Sequence, residues 1–146
     1  MNYLSKINKI FYCKSSSAYK ICFISEDCQL ESSFNVLIND AKKIVLAKEN
    51  IHSDKLKTYD FIISLFSVLS IKIERFIVSK KNNNVIANFY FNRNNIENKL
   101  EISFVDAVIL SIKTFSDIYI QEILFDKNNT IDFSCNDNFR NQAKIN

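Results

Sequence analysis

The chain has 146 residues, of which 47% are hydrophobic and 24% charged, and its formal net charge is +3. This balance is typical of one soluble globular domain. Because the chain contains no Gly, Pro or Trp, it cannot carry a P-loop, a dinucleotide-binding glycine motif or a glycine-flanked serine nucleophile. A single histidine, His52, excludes a zinc protease site built on two histidines.

The first half of the chain predicts three strands and two helices. Strands are expected at 7–13, 19–24 and 30–38, where Ile, Phe and Tyr are frequent. Asn39 is expected to cap the first helix, with Asp40 in its first turn. Thr58 or Asp60 begins the second helix. Because its segment 61–69 is apolar nearly all round, we predict that Phe61, Ile62, Leu65, Phe66 and Leu69 are buried.

The second half predicts strands at 71–78, 85–91, 100–103 and 118–120, and a helix at 104–115 with Asp106 in its first turn. The Asn-rich segments 81–84, 93–95 and 127–129 are predicted turns, because Asn adopts positive φ more readily than other non-Gly residues. Residues 1–126 are predicted to form a single domain, and 127–146 a polar, partly mobile tail.

Three strands followed by a helix occur twice in this order, and both helices begin with Asp-Ala, at Asp40 and at Asp106. The fold class is therefore predicted to be α+β, with a mixed, mainly antiparallel sheet of six or seven strands and three main helices. Either a βββα unit has been duplicated or the short match arose by chance.

The charge distribution, the cysteines and the length of the apolar stretches predict the partners and the cellular location of the protein. Residues 1–20 contain four lysines and no acid, whereas a dedicated nucleic-acid binder usually has a basic face spread over the domain. The four cysteines include no Cys-x-x-Cys pair, which disfavours a zinc site. The longest apolar stretch, 61–71, is about half of a membrane span. We expect a cytoplasmic protein with no membrane partner.

Five short segments carry a family resemblance. They are Asp40-Ala41 with Ile44, then Thr58-Tyr59-Asp60-Phe61, then Ile73-Glu74-Arg75-Phe76, then the stretch 105–111, and finally Ile118-Tyr119-Ile120. In order and spacing, residues 40–124 resemble the bifunctional nuclease family, named for action on both DNA and RNA. Three positions depart from the family pattern: Tyr59 replaces a histidine, Ser103 replaces an arginine and Lys55 replaces an upstream arginine.

The resemblance implies hydrolysis of phosphodiester bonds in DNA and RNA, assisted by a divalent metal, Mg²⁺ or Mn²⁺. This chemistry needs an activated water and charge stabilisation of the phosphoryl oxygens. The candidate catalytic residues are Asp60, Asp106 and Arg75, with Asp60 and Asp106 also the candidate metal ligands and Lys55 the candidate substrate-binding residue.

A structural role is the alternative for each candidate. A helix-start aspartate is commonly a cap or a partner of the helix dipole. Strand alternation places Arg75 on a face shared with three isoleucines, where it would need a carboxylate partner, Asp60 or Asp106.

Two functional hypotheses follow. The chain is a metal-dependent nuclease that binds nucleic acid, or it is a non-catalytic dimeric scaffold or regulatory domain that has lost the family's Arg and His. In either case a homodimer is expected. Convergence of Asp60, Asp106 and Arg75 in one exposed pocket would favour the nuclease.

Overall fold

The computed structural model describes residues 1–126, which form one seven-stranded sheet and three α-helices. The elements in chain order are β1 Asn2–Cys13, β2 Ala18–Ser25, β3 Glu31–Val36, α1 Ile38–Lys48, α2 Lys57–Val68, β4 Lys72–Lys81, β5 Asn84–Arg93, β6 Ile96–Ile102, α3 Phe104–Thr114 and β7 Asp117–Gln121. Short 3₁₀ turns, Asp54–Leu56 and Glu122–Leu124, precede α2 and follow β7. The predicted α+β class is confirmed.

The sheet consists of two three-stranded meanders joined through the last strand. Its order is β3-β2-β1-β7-β4-β5-β6. Every neighbouring pair is antiparallel except β4 and β7, which run parallel. The sheet is therefore mixed and mainly antiparallel, as predicted, and its two edges are β3 and β6.

The two halves repeat the same βββα unit. Helices α1 and α3 each have 11 residues. The residues that precede them, Leu37 and Ser103, have the same backbone angles, φ −67° and ψ 151°. Asp40 and Asp106 are each the third residue of their helix. The predicted repeat therefore extends beyond the shared Asp-Ala to the helix length, the entry geometry and the position of the acid.

The start of α1 corrects one prediction. The helix begins at Ile38 with Leu37 as its N-cap, so Asn39 lies inside the first turn, and the Leu37 side chain forms no capping hydrogen bond. In α3 the equivalent Ser103 accepts a hydrogen bond from the Asp106 amide. Asn39 resembles a cap in the sequence, but the strand ahead of α1 ends sooner than predicted.

The core lies between one face of the sheet and the helices. Helix α3 packs on β4, β5 and β7, while α1 packs on β2 and on α3. Fully buried side chains line this layer, among them Phe23, Phe76, Ile44 and Ile109. A smaller buried cluster of Phe11, Cys13 and Cys22 joins β1 and β2. Because each aromatic side chain buries about 150–250 Å², such residues make the main hydrophobic contribution to the stability of the core.

Helix α2 is less buried than predicted. Ile62, Ile63 and Phe66 pack on the core, and the Phe66 ring stacks on Phe89 with centroids 5.5 Å apart. Three residues predicted to be buried are instead exposed: Phe61, Leu65 and Leu69. The helix has apolar residues on both sides, and no other described element lies over its outer side. No helix within residues 1–126 has the length and hydropathy to cross a membrane.

Asparagines form the tight turns in place of glycine. Asn82 and Asn83 connect β4 to β5, and Asn94 and Asn95 connect β5 to β6, all four with positive φ. Positive φ at both central residues is the requirement of a type I′ hairpin turn, so these two turn predictions are confirmed. The predicted turn at 127–129 and the predicted tail at 127–146 lie outside the described residues.

Candidate functional site

The starts of α2 and α3 meet through one hydrogen bond. The Tyr59 hydroxyl donates to Oδ1 of Asp106 over 2.7 Å, although the two residues are 47 positions apart in the chain. Tyr59 is buried and Asp106 is half-buried. A short bond to an ionised acceptor is one of the stronger hydrogen-bond types, so this contact fixes the relative position of the two helix starts.

Local capping positions both partners. The Ser103 hydroxyl accepts from the Asp106 amide over 3.1 Å, which fixes the first turn of α3. Ahead of α2, the Ser53 hydroxyl accepts from the Lys55 amide over 3.2 Å. Leu56, fully buried, then anchors the entry into α2. Each cap satisfies a backbone N–H that would otherwise lack a partner.

The charge of Asp40 also affects the Tyr59 hydroxyl. The pKa of the Tyr59 hydroxyl is raised well above its usual value, first by burial, then by the hydrogen bond and the charge of Asp106, and then by the charge of Asp40. The carboxylates of the two repeated helix starts therefore both act on one phenol. At neutral pH this phenol keeps its proton and serves as a donor, not as a base.

The second aspartate of the predicted site has a different partner. Asp60 Oδ1 lies 2.7 Å from the Lys113 ammonium nitrogen, and both side chains are partly shielded from solvent. Lys113 follows Asp106 by two turns of α3, about 10 Å along the axis at 1.5 Å per residue. Asp60 and Asp106 are thus engaged at opposite ends of α3.

The contacts of Asp60 and Asp106 affect whether these two carboxylates can bind the expected divalent metal. Among residues 1–126 no three His, Cys, Asp or Glu side chains are grouped so that they could hold a metal ion. Lys113 neutralises the Asp60 carboxylate, and Tyr59 occupies one oxygen of Asp106. The described residues therefore do not form a ready-made divalent site of the kind expected from the sequence.

Arg75 is on the other face of the sheet, so the predicted contact with Asp60 or Asp106 is wrong. A β-bulge in β4 pairs Ile73 with Phe91 but Arg75 with Tyr90. The extra residue turns Arg75 away from the core that Ile73 and Phe76 contact. Its guanidinium lies 4.3 Å from the centroid of the Tyr90 ring.

The charge of Arg75 is also paired on that face. Its Nη2 donates to Oε1 of Glu97 over 3.1 Å. The structure thus separates Arg75 from the two aspartates and gives each of the three a different partner. The exposed Lys55 and His52 lie in the segment before α2, and in the described part of the chain neither forms an ion pair.

Sequence inspection missed two members of this site, Tyr59 and Lys113. The signal for Tyr59 was available, since it occupies the position of the family's histidine between Thr58 and Asp60. Lys113 gave no signal, because its importance depends on α2 crossing α3.

The fold and the site define an α+β domain with a repeated βββα unit and an acid at each repeated helix start. Residues 29–132 match the family model described as the bifunctional nuclease domain. The chain belongs to this family, as its sequence motifs indicated. No curated protein matches the chain.

Proposed function

We propose that the protein is a nuclease that hydrolyses phosphodiester bonds in DNA and RNA at the joined starts of α2 and α3. Family membership supports the reaction class. The observation that carries the location is the hydrogen bond from the Tyr59 hydroxyl to the helix-start acid Asp106, which joins the starts of α2 and α3. In this proposal Asp106 is the central catalytic residue and Asp60 a second one, while Lys55 contributes to substrate binding.

The bond from Tyr59 determines what Asp106 does. It holds Oδ1, and no group within residues 1–126 donates a hydrogen bond to Oδ2. This second oxygen would accept a proton from the attacking water. Tyr59 keeps the carboxylate in place and donates to it throughout, because its own pKa is raised. General base catalysis of this kind contributes about 10²–10⁴ to the rate.

Arg75 has no place in this step, since it lies on the opposite face of the sheet and is paired with Glu97. The Asp60 carboxylate is paired with Lys113, so it would contribute only by holding that ammonium near a substrate phosphate. Mg²⁺ commonly binds through one or two carboxylates together with substrate phosphates. The described residues form no larger cluster, so no step is assigned to a metal and the assay tests its requirement directly.

The test is cleavage of end-labelled single-stranded DNA and RNA by purified protein with Mg²⁺, with Mn²⁺ and with chelator. We expect Asp106→Asn to lower kcat/KM by about 100-fold or more. Asp54→Asn is the matched control, because Asp54 also stands at a helical start but is exposed and paired with the exposed Lys57. Equal activity in both variants and the parent would show that the cleavage does not arise at this site.

A non-catalytic dimeric scaffold or regulatory domain is the second candidate, and two observations favour it. Asp60, Asp106 and Arg75 do not converge in one pocket but have three different partners, and Tyr59 bonds to Asp106. The Tyr59 phenol, whose pKa is raised, replaces the histidine expected from the family, and its hydrogen bond occupies one oxygen of Asp106. The activity of the parent protein separates the two candidates, and Tyr59→His tests whether the missing histidine is the cause. Under the scaffold hypothesis the parent protein cleaves neither polymer under any of the three conditions, and the histidine variant gains activity only if the rest of the site is intact.

A further inference from the structure

The outer side of α2 carries an apolar stripe, formed by Phe61, Leu65, Val68 and Leu69. These positions follow the spacing i, i+4, i+7 and i+8 and so lie on one side of the helix. Phe61 is 66% exposed and Val68 is 80% exposed. The opposite side of the same helix is already used, since Ile62 and Phe66 pack on the core. This stripe is therefore not packed against any element within residues 1–126.

The edge strand β6 also presents exposed apolar side chains. Ile96 is 64% exposed and Leu100 is 55% exposed. Both lie on the helix face of the sheet, because Leu100 is opposite Phe89 in the register and Phe89 belongs to the core. Phe66 of α2 stacks on that same Phe89 ring. Phe66 of α2 and Leu100 of β6 are thus both neighbours of Phe89, so α2 lies over the part of the sheet next to the edge strand.

The backbone of β6 is able to accept another strand. A two-residue turn joins β5 to β6 and places Arg93 opposite Ile96. In such a hairpin the residues of the closing pair bond to each other, and the bonding direction then alternates along the strand. Ile96, Asn98 and Leu100 therefore bond to β5, whereas the N–H and C=O groups of Glu97, Lys99 and Glu101 point to the outer edge, which no strand within residues 1–126 covers.

The charges on β6 select one partner and one register. Glu97 is paired with Arg75 and Glu101 with Lys81, while Lys99 between them has no ion pair within residues 1–126. An antiparallel second copy of β6, centred on Asn98, places each Lys99 opposite a Glu97 of the other copy. The same register places each Ile96 opposite a Leu100. Centring on Lys99 instead would place Lys99 opposite Lys99 and Glu97 opposite Glu101, which is unfavourable.

We propose that two copies of this chain form a symmetric dimer in which β6 pairs with β6 about Asn98. An antiparallel strand pair has its two-fold axis perpendicular to the sheet, so the helices of both copies lie on the same face. The apolar stripes of the two α2 helices then meet across the seam. A stable interface buries about 800 Å² per partner, more than one short strand supplies, so burial of the stripe is an integral part of the dimer. This proposal is independent of nuclease activity.

The register is tested with two charge-reversed chains, Lys99→Glu and Glu97→Lys, measured by sedimentation velocity. The parent should sediment as a dimer, at twice 17.0 kDa. Each variant alone places like charges in both pairs, and its dimer Kd should rise at least tenfold. When the two variants are mixed, both pairs become complementary again, and a heterodimer should form with a Kd within a few-fold of the parent. Circular dichroism of each variant verifies that the fold is kept.

The apolar part is tested with a matched pair of substitutions. Ile96→Ser should raise the dimer Kd at least tenfold, whereas Ile123→Ser should leave it unchanged, because Ile123 is similarly exposed at 58% but lies beside Glu122 after β7. A parent protein that stays monomeric at 100 µM, a dimer indifferent to Ile96→Ser, or charge variants that fail to recover on mixing would each overturn the proposal.

Discussion

Replacing Tyr59 with Phe tests whether the bond between α2 and α3 holds the site together. The substitution removes one hydroxyl and keeps the buried ring, so the packing loss is small. The lost bond has a charged acceptor, and such bonds contribute about 1.5–3 kcal/mol. Because Asp106 is half-buried and water can reach it after the change, we expect the lower end, about 1.5 kcal/mol. For a domain of this size that corresponds to about 4–8 °C in Tm.

The assay is urea unfolding of a double-mutant cycle with Tyr59→Phe, Asp106→Ala and the double variant. Asp106→Ala alone should cost more than the shared bond, since it also removes a favourable charge from the helix start, worth about 0.3–1 kcal/mol. The coupling energy between the two changes should be about 1.5 kcal/mol. A coupling energy near zero would mean that the bond does not join the two helices in solution, and the proposed site would lose its geometric basis.

Three further outcomes are expected. First, because folding raises the pKa of Tyr59, the contribution of Tyr59 to stability is complete below pH 10 and declines above it. Between pH 10 and 11 the free energy of unfolding of the parent, measured in urea, should fall by about 1 kcal/mol more than that of Tyr59→Phe. Equal losses in the two proteins would contradict the raised pKa. Second, Lys113→Met leaves the partly shielded Asp60 unpaired and should cost about 1–2 kcal/mol, whereas Lys57→Met in an exposed pair should cost less than about 0.5 kcal/mol. Third, Arg75→Met should lower the free energy of unfolding by about 1 kcal/mol or less in thermal unfolding. A loss of about 3–5 kcal/mol would instead indicate that Arg75 forms the buried pair predicted from the sequence.

Most of the fold was predictable because periodicity and turn residues are local signals. The presence of each strand, the helix carrying Asp106 and the asparagine turns follow from residues within a few positions of one another, although β1 begins at Asn2 and β6 at Ile96, earlier than the predicted 7–13 and 100–103. The burial of α2 was not predictable in this way. A helix that is apolar on both sides looks central in the sequence, but only tertiary packing determines which side meets the sheet, and Phe61 and Leu65 lie on the other.

The contacts of the candidate site were even less predictable from local sequence patterns. Alternation along β4 predicts the face of Arg75 only if the strand is regular, and one bulge reversed that assignment. The partnership of Tyr59 with Asp106 spans 47 positions and requires the crossing of two helices. Sequence motifs identified Asp60 and Asp106 as residues of interest, but their partners depend on contacts that no local pattern encodes.

The position of β7 has a consequence for synthesis of the chain. This short strand lies between β1 and β4 and bonds to both, antiparallel to one and parallel to the other. The two meanders precede it in the chain, yet they join into one sheet only through it. On the ribosome, residues 2–102 can therefore form two separate three-stranded units while their inner edges remain open. The two units become one continuous sheet only when Asp117–Gln121 has left the exit tunnel.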